Sequence, residues 1–228
     1  MADREIHVCY ARLSLSPDRL RSLAGTLSPD ERERAARFHL DKHREAFIAG
    51  RGVLRSVLST YTGMAPREIV FRYAARGKPD LPGSLIHFNV SHSGDLAVYA
   101  LAREPLIGAD IERIHEIPDA QAIARRFFSP PEYAELLALR PEQRQVGFFN
   151  CWTRKEAYVK AIGDGLSAPL DGFQVSLSPG HPAAFVQIDG SAAKAAEWSL
   201  IDLQPESGFA GAVAIHGTGW KVVRAPER

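Results

Sequence analysis

Cysteine is close to absent from this chain: Cys9 and Cys151 are the only two in 228 residues, far apart and in no CxxC pair. That spacing suggests neither a disulfide framework nor a zinc site, and reduced, partly buried thiols are expected. Long apolar runs are missing too. None approaches the roughly 20 residues of a spanning helix, and the opening MADREIHVCY has acids and bases where a signal peptide needs an apolar stretch. A cytoplasmic protein with no membrane association is expected. An excess of either charge is also lacking, since 28 Lys and Arg stand against 27 Asp and Glu. A nucleic-acid partner is therefore disfavoured, and any anion site must be local. What remains, 45% hydrophobic and 24% charged, is the composition of an ordinary globular protein, long enough for one large domain or two small ones.

The two halves of the chain echo one another. Ser28-Pro29-Asp30-Glu31 and Ser129-Pro130-Pro131-Glu132 each place Ser at the N-cap, Pro at the first helical position and Glu three residues after the cap, which is a capping-box helix start. Each is followed by a second helical stretch, from Phe47 and from Phe148, that runs into a glycine stop. Short alternating segments from Arg67 and Asp171 then read as strands, and SGDLAVYAL at 93–101 is matched by SGFAGAVAI at 207–215. Helix, helix, strand, strand is a generic order; the repeated SPxE and SG signals carry the inference. The expected fold is α+β, with two similar subdomains related by pseudo-two-fold symmetry, residues 1–104 and 105–228, and a ligand cleft between them. A monomer is expected, because the second half already supplies a partner surface. On the helices, Arg51 and Arg55 are expected to correspond to Lys155 and Lys160.

Chemistry-bearing residues cluster in four segments. In FNCWTRKEAYVKAIGDG at 149–165, Trp152, Glu156 and Lys160 are four apart, so a helix stacks them in one stripe that can hold a metal ion beside an anionic substrate. Taken alone, Glu156 and Lys160 also read as an ordinary solvated pair. In IGADIE at 107–112 the period of two turns Asp110 and Glu112 to one strand face and Ile111 to the other. Magnesium takes one or two carboxylates, waters and phosphate oxygens, and Asp110, Glu112 and Glu156 can supply the protein's share; an edge strand facing water is the alternative. Ser91, His92 and the backbone near Gly94 can donate to phosphate. Arg76-Gly77-Lys78-Pro79 is a cationic turn resembling a phosphate clamp, but no P-loop, since Pro79 stands where Ser or Thr is required. Each cation here, Arg51 included, reads equally well alone as a surface charge. Gly163 to Ala168 fits G-x-G-x-x-A, yet it follows a helix and not a strand, so it is read as a helix stop and loop.

Taken in order, GRGVLR at 50–55, RGKP at 76–79, FNVSHSG at 88–94, GADIE at 108–112, RFFSPPEY at 126–133 and WTRKEAYVKAIGDGL at 152–166 resemble the surfactin-type 4'-phosphopantetheinyl transferases over roughly residues 28–177. The resemblance implies a pseudo-two-fold α+β fold with coenzyme A as substrate between the halves. It implies transfer of the phosphopantetheine arm to a serine of an acyl or peptidyl carrier protein or synthase carrier domain, with release of adenosine 3',5'-bisphosphate. Carried over by position, Asp110, Glu112 and Glu156 match the magnesium-binding acids, and Lys160 the lysine on the pyrophosphate, with its neighbour Lys155 as a further coenzyme contact. Arg51, Lys78, Ser91 and His92 match residues that hold the coenzyme's phosphates, and the backbone of Arg76, Gly77 and Lys78 lies beside the adenine. The family has lysines in its SPxE helix where this chain has Glu31 and Arg34; Arg44 is the nearest substitute.

Glu156 is the expected base for the serine proton, with Lys160 and Asp110 completing the catalytic set. For the carrier surface, His115 to Phe128 mixes Ile117, Ile123, Phe127 and Phe128 with Arg125 and Arg126, a pattern suited to an acidic helix. The same phenylalanines also read as core. Two other classes fit the residues: a magnesium-dependent phosphohydrolase, which needs no carrier, and a coenzyme A or carrier-binding protein without turnover.

Overall fold

Both SPxE segments start helices, and both do so with a complete capping box. The computed structural model describes residues 1–74, 77–163 and 169–225; Arg76 and the loop read at 164–168 lie outside them. In chain order the elements are β1 (Glu5–Arg12), α1 (Pro17–Ala24), α2 (Pro29–Ala36), α3 (Asp41–Thr62), β2 (Arg72–Tyr73), β3 (Pro79–Asp80), β4 (His87–Ser93), β5 (Leu96–Ala102) and β6 (Ile107–Arg113). They continue with α4 (Ala120–Phe127), α5 (Pro130–Ala138), α6 (Pro141–Ile162), β7 (Phe173–Val175), β8 (Phe185–Ile188), α7 (Ala192–Ala196), β9 (Trp198–Asp202), β10 (Phe209–His216) and β11 (Lys221–Arg224). No helix among the described residues is long and apolar enough to cross a membrane.

The echo extends to length and handedness. α3 and α6 have 22 residues each, and each ends at a glycine in the left-handed region, Gly63 at φ 72° and Gly163 at φ 79°. A side chain would be strained there, which is why a glycine stops each helix. The strands repeat as well. β1, β5 and β4 form an antiparallel run with β5 in the middle, and β6, β10 and β9 form the same arrangement around β10. β11 is the exception: it pairs in parallel with β1, so the end of the chain returns to the sheet of the first half.

The expected strands from Arg67 and Asp171 are shorter than their alternation suggests. Each begins instead with a single 3-10 turn, Pro66–Glu68 and Leu170–Gly172. The carbonyls at the ends of these turns are taken by buried cations of the long helices, Arg55 on Pro66 and Ile69, and Lys155 on Leu170 and Phe173. These bonds tie each turn to the long helix before it.

Strand alternation sorts the core. Cys9 and Ala11 of β1 pack with Leu54, Val57 and Leu58 of α3, whereas Ile6, Val8 and Tyr10 face the other half. There they meet Ile107, Ala109 and Ile111 of β6 and Val213 and Ile215 of β10. The halves thus share an apolar core. On β6 the other face, carrying Gly108, Asp110 and Glu112, is turned away from it.

Candidate active site

α6 approaches β6 more closely than a side chain would permit. A Cβ on Gly108 would lie 2.1 Å from the carbonyl oxygen of Ala157 and 2.3 Å from the nitrogen of Ala161. That contact brings the acids of β6 against the polar stripe of α6. The ammonium of Lys160 donates to Oδ1 of Asp110 at 2.5 Å and to the hydroxyl of Ser91 at 2.9 Å, while Ser91 donates to the same Oδ1 at 2.7 Å. The other oxygen of Asp110, Oδ2, and Oε1 of Glu156 are buried and accept no hydrogen bond. Burial, and then the charge of Asp110, push the Glu156 carboxyl up against the opposing pull of Lys160, with Glu112 adding a smaller push. Burial also raises Glu112, whose Oε2 accepts from Ser93 at 2.6 Å.

Two buried carboxylate oxygens without a donor, with a third acid beside them, make a hard-oxygen donor set suited to a divalent cation. Among the described residues no three such groups already converge on one point. Lys160 takes one oxygen of Asp110, and Ser93 holds one of Glu112.

The acids lie where two sheet edges meet. β4 and β6 are edge strands of different sheets and do not pair with one another. Side chains at alternate positions of β4 cross the gap instead: Asn89 accepts the backbone N–H of Ala109, Ser91 reaches Asp110, and Ser93 reaches Glu112 and the N–H of Arg113. Sequence reasoning missed Asn89 and Ser93, although Asn, Ser and Ser at period two in HFNVSHS were visible. Ser91, read as a phosphate donor, is buried between Asp110 and Lys160; His92, on the opposite strand face, is exposed.

Lys155 requires a correction. Its side chain is 0% exposed and its three donors are satisfied by Glu132 at 2.8 Å, the Leu170 carbonyl at 2.6 Å and the Phe173 carbonyl at 2.7 Å. An ammonium has three donors, so Lys155 has none left to offer a coenzyme and instead ties α6 to α5 and to the turn before β7. Its counterpart is Arg55, which bonds Glu31 at 2.7 Å and the carbonyls of Pro66 and Ile69 at 2.8 Å. The correspondence is therefore Arg55 with Lys155, and the expected matching of Arg51 with Lys155 and of Arg55 with Lys160 is replaced. Trp152, in turn, packs against Phe127 and Phe148.

Two other cations stand near the seam or the first SPxE helix. Lys78 donates to the carbonyls of Lys160 at 2.8 Å, Ile107 at 3.1 Å and Ala161 at 3.3 Å, which joins the first half to the C-terminal end of α6. Burial pushes its pKa down to about 8, against the pull of Asp80. A phosphate reaching Lys78 has to displace one of these carbonyls. Gly77, beside it, has φ 80°. Arg51 sits among the rings of Phe71, Tyr73 and Phe47, 5.1 to 5.9 Å from their centres, with Glu31 Oε1 3.4 Å from its Nε and with Nη1 buried and unbonded. Beyond the end of β6, a cavity of about 420 Å³ is lined by His115, Ile117, Leu136, Phe148 and Phe149, among others. Of the candidate carrier surface, Phe128 is core and Arg125 and Arg126 are exposed.

The chain matches the family model described as 4'-phosphopantetheinyl transferase superfamily over residues 106–214, and that described as 4'-phosphopantetheinyl transferase, N-terminal, over residues 14–104. It is 42% identical over 221 residues to the 4'-phosphopantetheinyl transferase HetI of Nostoc sp. (strain PCC 7120), across 95% of this chain and 90% of that one. To the 4'-phosphopantetheinyl transferase Sfp of Bacillus subtilis (strain 168) it is 36% identical over 176 residues, 76% of each chain. With both halves matched in order and a relative similar along nearly its whole length, this chain belongs to the 4'-phosphopantetheinyl transferase superfamily.

Proposed function

We propose that this enzyme moves the 4'-phosphopantetheine arm of coenzyme A onto a serine of an apo acyl or peptidyl carrier protein, releasing adenosine 3',5'-bisphosphate, in a magnesium-dependent reaction. The carrying observation is the pair of buried, unbonded carboxylate oxygens, Asp110 Oδ2 and Glu156 Oε1, beside the Lys160 ammonium at the meeting of the halves. Asp110, Glu156 and Glu112 would hold magnesium, which supplies charge neutralisation for a pyrophosphate ester.

The chain's own residues then divide the work. The serine oxygen forms a bond to the phosphorus on the pantetheine side, and the bond from that phosphorus to the bridging oxygen breaks, leaving the bisphosphate. Glu156 takes the serine proton at a carboxylate oxygen, directly or through water. Lys160, held by Asp110 and Ser91, opposes the charge that builds on the leaving phosphate. Arg51, through its unbonded Nη1, supports contact with the coenzyme's 3'-phosphate, with His92, Lys78 and Gly77 as further contacts near the seam. The cavity at His115 and Phe149 suits the pantetheine arm and the carrier side. We place the protein in the cytoplasm as a monomer whose halves divide near residues 104 and 105, with no nucleic-acid or membrane partner.

Intact-protein mass spectrometry tests this directly. An apo carrier protein incubated with the enzyme, coenzyme A and magnesium should gain one phosphopantetheine arm, and a chelator should abolish the gain. No gain on several diverse carriers overturns the proposal, and consumption of coenzyme A without a carrier identifies a hydrolase instead.

A further inference from the structure

Ser93 has one hydroxyl proton, and its surroundings fix where that proton points. Its Oγ accepts the backbone N–H of Arg113 at 3.0 Å and donates to Oε2 of Glu112 at 2.6 Å. A hydroxyl offers one donor and two acceptor lone pairs, so the incoming N–H orients the lone pairs and leaves the proton aimed at the carboxylate. Two residues earlier Ser91 does the same for Asp110, with the Lys160 ammonium as the incoming donor.

We propose that Ser93 is a positioning residue which, by holding Oε2 of Glu112, decides which Glu112 oxygen turns toward Asp110 and Glu156 and so sets the affinity of the three acids for a divalent cation. The inference rests on the metal role proposed for those acids. Among the described residues no other group hydrogen-bonds the Glu112 carboxylate. Ser93 is itself held on both sides of the seam, opposite Leu96 in the first half's sheet and bonded to Arg113, which lies opposite Phe209 in the second. A comparison within the seam separates holding the halves together from aiming an acid. Asn89 also captures a backbone N–H of β6, that of Ala109, and among the described residues it hydrogen-bonds no carboxylate. The serine hydroxyl at 93 links the seam to a ligand, and groups that fix the orientation of metal ligands govern metal affinity.

The test is direct binding of Mn2+, followed by electron paramagnetic resonance, to the wild-type chain, Ser93→Ala, Ser93→Thr, Glu112→Ala and the Ser93→Ala/Glu112→Ala pair, each first shown by circular dichroism to melt cooperatively. Ser93→Ala is expected to weaken Mn2+ binding about 10- to 100-fold. Ser93→Thr, which keeps the hydroxyl, should stay within a few-fold of wild type, and Ser93→Ala should add nothing once Glu112 is gone. Wild-type affinity in Ser93→Ala, equal losses in the Thr and Ala variants, or an undiminished loss in the Glu112→Ala background each overturn the role of Ser93 while leaving the metal site standing. Absence of Mn2+ binding by the wild-type chain overturns both.

Discussion

Four buried side-chain atoms among the described residues make no hydrogen bond, and they fall into two groups: Glu31 Oε1 with Arg51 Nη1, and Asp110 Oδ2 with Glu156 Oε1. Leaving such atoms unpaired costs stability, so their grouping marks places where the fold tolerates strain. Glu156 shows the consequence. Its folded-state pKa lies above the ordinary 4.5, so the folded chain binds its proton more tightly than the unfolded chain. Stability therefore falls as pH rises between 4.5 and the raised value, and the whole penalty is present above it. In chelator at neutral pH, Glu156→Gln is expected to melt a few degrees above wild type, with the gap closing toward pH 4.5, while transfer is lost. A lower melting temperature for the variant would contradict the buried-charge reading. Lys155 gives the opposite sign. Lys155→Met leaves Glu132 buried without its cation, and urea titration should show a loss of about 3 to 5 kcal/mol.

At the scale of elements, the decisive contact is that of α6 on β6. Alternation in GADIE was legible, and so was the face shared by Asp110 and Glu112. That Gly108 is the point where a helix backbone touches a strand required the packing. Gly108→Ala must push α6 outward and carry Glu156 and Lys160 with it. Ordinary overpacking costs about 1 to 3 kcal/mol, and the cost here should reach the upper end or beyond, read by urea titration. Transfer should fall about 100-fold, since displacements near 1 Å at a reacting centre have effects of that size. Gly77→Ala would meet no described residue within 4 Å, so its cost to the free protein is that of a side chain at φ 80°. The helix starts were legible for a local reason, because a capping box needs only four consecutive residues. The 3-10 turns at Pro66 and Leu170 were not, because the cations that take their carbonyls, 11 and 15 residues earlier on the preceding long helices, are brought there only by packing.

Across the whole molecule, the halves are joined by the apolar core between β1 and β6, the side-chain seam from β4 to β6, Lys78 on the carbonyls at the end of α6, and β11 laid on β1. Arg12 adds a surface clasp, reaching Asp95 in the turn after β4 and Glu206 before β10. Exposed pairs of this kind add little, so cooperativity must come from the core and the strands. All three tryptophans, Trp152, Trp198 and Trp220, lie in the second half, whereas circular dichroism reports helices of both. Urea unfolding followed by tryptophan fluorescence and by far-ultraviolet circular dichroism should therefore give coincident curves. Separated midpoints would mean that the halves fold independently.

Local pattern alone determined the two capping boxes, the paired glycine stops, the alternating acids and the duplicated order of elements, because each depends on neighbours within a few residues or on a simple period. Tertiary structure decided which cations are enclosed and which reach the seam, and it set Lys155 against Glu132 while leaving Lys160 beside Asp110. One residue type five positions apart on a single helix serves two ends: the lysine enclosed on all sides is satisfied by a carboxylate and two carbonyls, and the lysine at the meeting of two sheet edges is left 28% exposed beside Asp110.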